Sequence, residues 1–187
     1  MVTVNHSSIG DPYIHEPKGV STAQTSTVYV ANGSGSGSWK SNHQHLGVYL
    51  TYSTAAPYQL ATLTTDTILD PTFNVGSTEG FVVDTAPNMR LKYNGTDPLD
   101  AHLLFNFSSK TGSHSDEDVE WALFKNGVEV SGSRTVRTLN SSAWGSMSVA
   151  GYTSLVSSDY IEIKSKATAL VTVSYAAGTV SIMGVTS

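Results

Sequence analysis

Val119-Glu120-Trp121-Ala122-Leu123-Phe124-Lys125-Asn126-Gly127-Val128-Glu129-Val130 is the stretch whose reading decides the fold. Asn-Gly between two β-prone runs is the strongest short hairpin signal, because a primed two-residue turn needs positive φ at both positions. Val119, Trp121 and Leu123 alternate onto one face, as a half-buried strand requires. The preceding Ser115-Asp116-Glu117-Asp118 could instead cap a short helix. The turn signal that follows at once, and the β-like neighbours, favour a strand.

Working outward, β-prone runs recur with turn signals between them. They fall near Leu60–Thr64, Gly80–Val83, Met89–Tyr93, Ala101–Phe107, Thr135–Leu139, Ser146–Val149, Tyr160–Lys164, Leu170–Tyr175 and Thr179–Val185. Leu103, Phe105 and Phe107 share a face, as do Ile161 and Ile163, and Val171, Val173 and Tyr175. Asn94-Gly95 and Ala177-Gly178 are expected to be turns. About eight to ten strands in one domain fit a double-sheet jelly roll better than the roughly seven of an immunoglobulin-like sandwich. The expectation is an all-β jelly-roll β-sandwich over residues 59–187, preceded by an extended N-terminal arm, residues 1–58. The arm is broken by Gly10-Asp11-Pro12, Glu16-Pro17-Lys18-Gly19 and the Gly/Ser-rich stretch Asn32–Ser38, which reads as a flexible linker. Thr27–Val30 and Gly47–Tyr52 are its β-prone runs.

Composition narrows the function. Charged residues are only 13% of the 187, about half the usual share. The net charge is −5 and the basic residues lie singly, so no nucleic-acid footprint is present. There is no cysteine, which excludes disulfides, thiolate metal sites and thiol nucleophiles. No apolar run approaches the roughly 20 residues of a membrane-spanning helix. The N-terminus reads as lacking a secretion signal.

Chemistry-bearing motifs are sparse. There is no Gly-x-Ser-x-Gly elbow, phosphate loop or dinucleotide fingerprint. His43 and His45 would share one side of a strand and could offer nitrogens to a metal at a three-fold axis, against the plainer reading of two solvated side chains. Asp116, Glu117 and Asp118, with Glu120 nearby, could supply oxygens to calcium; an exposed, solubilising loop is the simpler alternative. Nothing singles out a catalytic pair among the 15 acidic residues. Trp144 could stack on a sugar or anchor a loop. No catalytic residue, metal or cofactor is expected.

The segments His15–Val20 and Thr27–Lys40 resemble a run in tailed-bacteriophage virion proteins. Ala122–Val128, Asp159–Glu162 and Val180–Val185 are similar to the last strands of their tumour-necrosis-factor-like jelly rolls. The resemblance implies a homotrimeric, non-enzymatic decoration or short-fibre protein on the virion exterior, made in the host cytoplasm. It also implies that the N-terminal part attaches it to a major capsid protein or another virion protein. Candidate attachment residues are Tyr13, Ile14, Val28, Tyr29, Val30 and Trp39. The last strand is apolar on both faces, so Val180, Ile182, Met183 and Val185 are the candidate trimer-interface residues. The alternative is a carbohydrate-binding receptor-recognition module of a tail fibre, with a host-surface glycan as partner.

Overall fold

The computed structural model describes residues 27–31, 37–41, 45–61, 64–84, 89–112 and 116–186. The chain divides into two compact units, residues 1–44 and 45–187. In the first, β1 (Thr27–Ala31) pairs antiparallel with β2 (Gly37–Ser41). Tyr29 lies directly opposite Trp39, and their rings meet edge to face at 5.5 Å. Gly37 and Ser38 therefore belong to a strand, where the composition had suggested linker. The cross-strand aromatic pair accounts for this, since such pairs stabilise a hairpin more than composition alone suggests. Tyr13 and Ile14 lie outside the described residues, as do the side chains of Val28 and Val30.

The second unit comprises β3 (His45–Ala61), β4 (Thr67–Ile68), β5 (Asn74–Glu79), β6 (Phe81–Asp84), β7 (Arg90–Tyr93), β8 (Leu99–Thr111), β9 (Glu117–Lys125), β10 (Val128–Glu129), β11 (Thr135–Leu139), β12 (Gly145–Leu155), β13 (Tyr160–Ala167) and β14 (Thr172–Thr186). One sheet runs β12-β8-β14-β3-β5. The other runs β10-β9-β13-β7-β6, with β11 also on β9 and β4 on β13. Every pairing is antiparallel. This is the expected all-β jelly roll. Residues 119–124 are strand, and Asn126 and Gly127 form the hairpin turn with φ of 50° and 80°. Any side chain at Gly127 would be strained there.

Three readings change. Ala177-Gly178 is not a turn: β14 runs through it, with a register shift between Tyr175 and Ala177. The partner strand loops out at the same place, since Ser53 pairs with Ala177 and Tyr58 with Tyr175. Pro57, which has no N–H to give to a ladder, sits in that unpaired excursion. The run at 47–52 and the first residues of the next, Leu60 and Ala61, are thus parts of one strand, β3, which crosses residue 58. Strands β4 and β5 were not foreseen: β4 is two residues long, and β5 carries Gly76, Ser77 and Glu79, a poor β signal.

The two sheets close on a core that includes Leu91, Leu103, Phe105, Trp121, Leu123, Ile161, Ile163, Val173, Tyr175, Val180 and Ile182. One polar chain crosses it. Trp121 Nε1 on β9 donates to Tyr175 Oη on β14 at 3.1 Å, and that hydroxyl donates to Ser165 Oγ on β13 at 3.2 Å. Burial pushes the Tyr175 phenol far above its ordinary pKa, so it stays neutral at any physiological pH. Phe107 packs 5.6 Å from both the Trp121 and Tyr175 rings. The sheets are therefore locked by a buried network whose members are mutually satisfied.

Tyr175→Phe removes the acceptor for Trp121 and leaves two buried polar groups unpaired. It should cost about 1–3 kcal/mol in urea unfolding. Ser109 makes the contrast: its buried hydroxyl has no partner. Ser109→Ala should therefore leave the unfolding midpoint unchanged or raise it.

Candidate functional site: an uncharged sheet face

Each sheet of a sandwich turns one face inward and leaves the other available. On the seven-stranded sheet the outer face carries Asp84, Arg90, Lys92, Glu120, Glu162, Lys164 and Lys166. These share that face by register: Asp84 opposes Arg90, Lys92 opposes Tyr160, Phe124 opposes Glu162, Ala122 opposes Lys164 and Glu120 opposes Lys166. Three of the four cations are paired in place. Glu162, buried, accepts from Arg90 at 2.7 Å and lies 3.5 Å from Lys164, while Lys166 pairs with Glu120 at 3.1 Å. The Arg90 guanidinium is held charged by that hydrogen bond to Glu162, against some desolvation. At the edge, Arg134 gathers Glu129, Asp66 and Glu120.

The outer face of the five-stranded sheet is built differently. Its register sets residues of β12, β8, β14 and β3 in rows. The first is Ser154, Asp100, Val185 and His45; the second is Tyr152, His102, Met183 and Gly47. Then come Ala150, Leu104, Ser181 and Tyr49; Ser148, Asn106, Thr179 and Thr51; and Ser146, Ser108, Ala177 and Ser53. The last four rows contain no Lys, Arg, Asp or Glu. Charge returns with Asp100 at one end, whose carboxylate accepts from Ser154 Oγ, with Lys110 beyond Ser108 at the other, and with Glu79 on the edge strand.

This face has two zones. Near Asp100 it is apolar: Met183 is 64% exposed, Tyr152 56%, Val185 40% and Leu104 38%. His102 stands among them, its ring edge-on to Tyr152 at 5.0 Å. Toward the other end lies a shallow trough of about 560 Å³, lined by Asn106, Ser108, Ser146, Ser148 and Thr179, with Ala177 and Gly178 at the bulge. Asn106 takes the Ser148 hydroxyl on its amide oxygen and donates to Thr179 Oγ1 at 3.4 Å. Outside the trough, Trp144 is exposed, with the Lys110 ammonium 4.8 Å from its ring centre.

The sequence candidates separate accordingly. Of the last-strand residues, Val180 and Ile182 are 2% and 0% exposed and fill the sandwich core, so they have no surface to give a neighbour. Met183 and Val185 point the other way and lie on the uncharged face. Their partners Leu104, Tyr152 and His102 were missed. The available signal was alternation: His102, Leu104 and Asn106 interleave with the core residues Leu103 and Phe105. The acidic run does not converge. Glu117 accepts from Thr168 Oγ1 and from Ala169 N at 2.8 Å, and Asp118 accepts from Thr138 Oγ1 at 2.5 Å. Among the described residues, no group of three or more metal-ligating side chains occurs. His43 and the side chain of His45 lie outside the description.

Solved structures that superpose on the chain include two all-β proteins. Eiger TNF from S. frugiperda superposes with a TM-score of 0.52 at 11% identity, over 75% of this chain and 92% of that one. PRD1 vertex protein P5 superposes with a TM-score of 0.50 at 12% identity, over 76% of this chain and 98% of that one. The superpositions show a fold of the tumour-necrosis-factor-like jelly-roll type. No protein-family model and no curated protein sequence matches it.

One carboxylate of the jelly roll ties its turns together. Asp159 accepts from Asn126 Nδ2 at 2.6 Å, from Val156 N at 2.8 Å and from the Lys125 ammonium at 2.9 Å. Burial alone would raise its pKa, but the Val156 N–H, Lys125 and Asn126 outweigh it and hold the carboxyl below its ordinary range. Its contribution is therefore present above the unfolded-state pKa of about 4 and is lost as pH falls through the lower folded value. Asp159→Asn should destabilise by about 1–3 kcal/mol at neutral pH. The deficit should vanish in strong acid, as urea unfolding across pH would show. A strong chelator should leave the melting temperature of the wild-type chain unchanged, because a bound native-state ion would add stability by mass action.

Proposed function

We propose that this jelly roll is a non-enzymatic structural protein of a tailed-bacteriophage virion. In this reading it is a homotrimer that decorates the capsid exterior, attached through its N-terminal part to the major capsid protein or another virion protein. The observation that carries the assembly is the uncharged outer face of the five-stranded sheet. A folded chain that gathers most of its sheet-face charge on one side and shows methionine, valine, leucine and tyrosine in the middle of the other has a surface suited to burial. Closed rotational symmetry would cover that face identically on every chain and leave none exposed.

The virion role is supported by the resemblance of the His15–Val20 and Thr27–Lys40 segments, and by the fold shared with PRD1 vertex protein P5. The β1–β2 hairpin with its Tyr29–Trp39 pair is a preformed element of the kind that could dock on a partner. The trough at Asn106 with exposed Trp144 outside it favours a second reading, a glycan-binding fibre module, because a neutral hydroxyl-lined surface and an exposed indole suit a sugar.

Peptide mass spectrometry and electron microscopy of purified particles should find the chain on the exterior as three-lobed projections. Its absence from purified particles would overturn the virion assignment. Deleting residues 1–40 should leave the sedimenting mass trimeric while abolishing binding to particles stripped of the protein. Undiminished binding would move the attachment surface to the jelly roll. Specific retention on a host-glycan array, lost in Trp144→Ala, would favour the second reading.

A further inference from the structure

His102 occupies the middle of the apolar zone. In its row it is flanked directly by Tyr152 on β12 and Met183 on β14, and Leu104 follows two residues along the same face. The titratable and charged groups facing it are few. On β8 there is Asp100, two residues away and already accepting from Ser154 Oγ. On β12 there is the Tyr152 phenol, and on β14 Met183 and Val185 carry no charge. No described side chain donates to or accepts from its ring other than through the edge contact with Tyr152.

We propose that His102 makes the assembly acid-labile: the trimer forms while this imidazole is neutral and comes apart when it is protonated. The inference rests on the assembly face described above and on a second and third copy of this chain as its occupants. A neutral imidazole packs like a small aromatic ring and is compatible with burial beside Tyr152, Met183 and Leu104. An imidazolium in the same place is a desolvated charge in an apolar interface, which is strongly unfavourable without a dedicated partner. Asp100 lies in the end row of the face and is engaged by Ser154. Symmetry multiplies the effect, because each chain brings its own charge into one assembly. Histidine is the side chain whose charge normally changes in the mildly acidic range. In the separated chain the ring stands exposed on the sheet surface, outside the core that holds the jelly roll together.

The test is sedimentation velocity of the full chain and of two variants, His102→Gln and His102→Lys, at about pH 7.5 and about pH 5.5, with tryptophan fluorescence recorded alongside. The wild-type chain should be trimeric at the higher pH and lose the trimer at the lower one, with its fluorescence spectrum unchanged. His102→Gln should be trimeric at both, and His102→Lys should have lost the trimer at both. A wild-type trimer that persists in mild acid overturns the proposal and leaves the assembly face standing. Equal acid dissociation of wild type and His102→Gln overturns it too, and points to another group. A His102→Lys trimer at the higher pH overturns it as well. A monomeric wild type at the higher pH removes the assembly face and this inference together.

Discussion

A two-sheet sandwich can cover only one face of each sheet with its own chain, and everything distinctive here follows from how the two remaining faces are treated. The seven-stranded sheet meets water with paired charges: Arg90 and Lys164 around Glu162, and Lys166 with Glu120. The five-stranded sheet shows hydroxyls, an amide and a cluster of Met183, Val185, Leu104 and Tyr152. The inner faces are joined by the Trp121–Tyr175–Ser165 hydrogen bonds, which fix the register of one sheet over the other. That lock keeps β14 in place, with Ile182 in the core and Met183 on the surface.

Much of this fold is readable from local chemistry. Asn126-Gly127 announces a hairpin because so few residue pairs accept positive φ twice. The alternation of Leu103, Phe105 and Phe107, or of Ile161 and Ile163, marks strands with one buried face. Reading fails where long-range pairing overrides a local signal. Ala177-Gly178 looks like a turn, yet β14 lies between β8 and β3 and its ladder continues through a bulge on both sides. Gly37 and Ser38 look like linker, yet the Tyr29–Trp39 contact draws them into a strand.

The assembly face was visible only in part for the same reason. Met183 and Val185 can be picked out because a surface strand has no need of apolar residues on both sides. Val180 and Ile182 come with them, and sequence cannot tell which pair faces the core. His102, Leu104 and Tyr152 each look ordinary in isolation. They become a patch only when register sets β12, β8 and β14 side by side. The acidic run at 116–118 shows the reverse: a dense motif that resolves into separate bonds to Thr138, Thr168 and Ala169.

The account stands on self-association through the uncharged face, and sedimentation equilibrium of the wild-type chain beside the double variant Met183→Asp, Val185→Asp tests it most directly. Both side chains are exposed on the single jelly roll, so the variant keeps its core. The account predicts a wild-type mass three times the 19.8 kDa subunit and a folded variant at the subunit mass. A wild-type chain that sediments as a monomer, or a variant that retains the trimer, would contradict it.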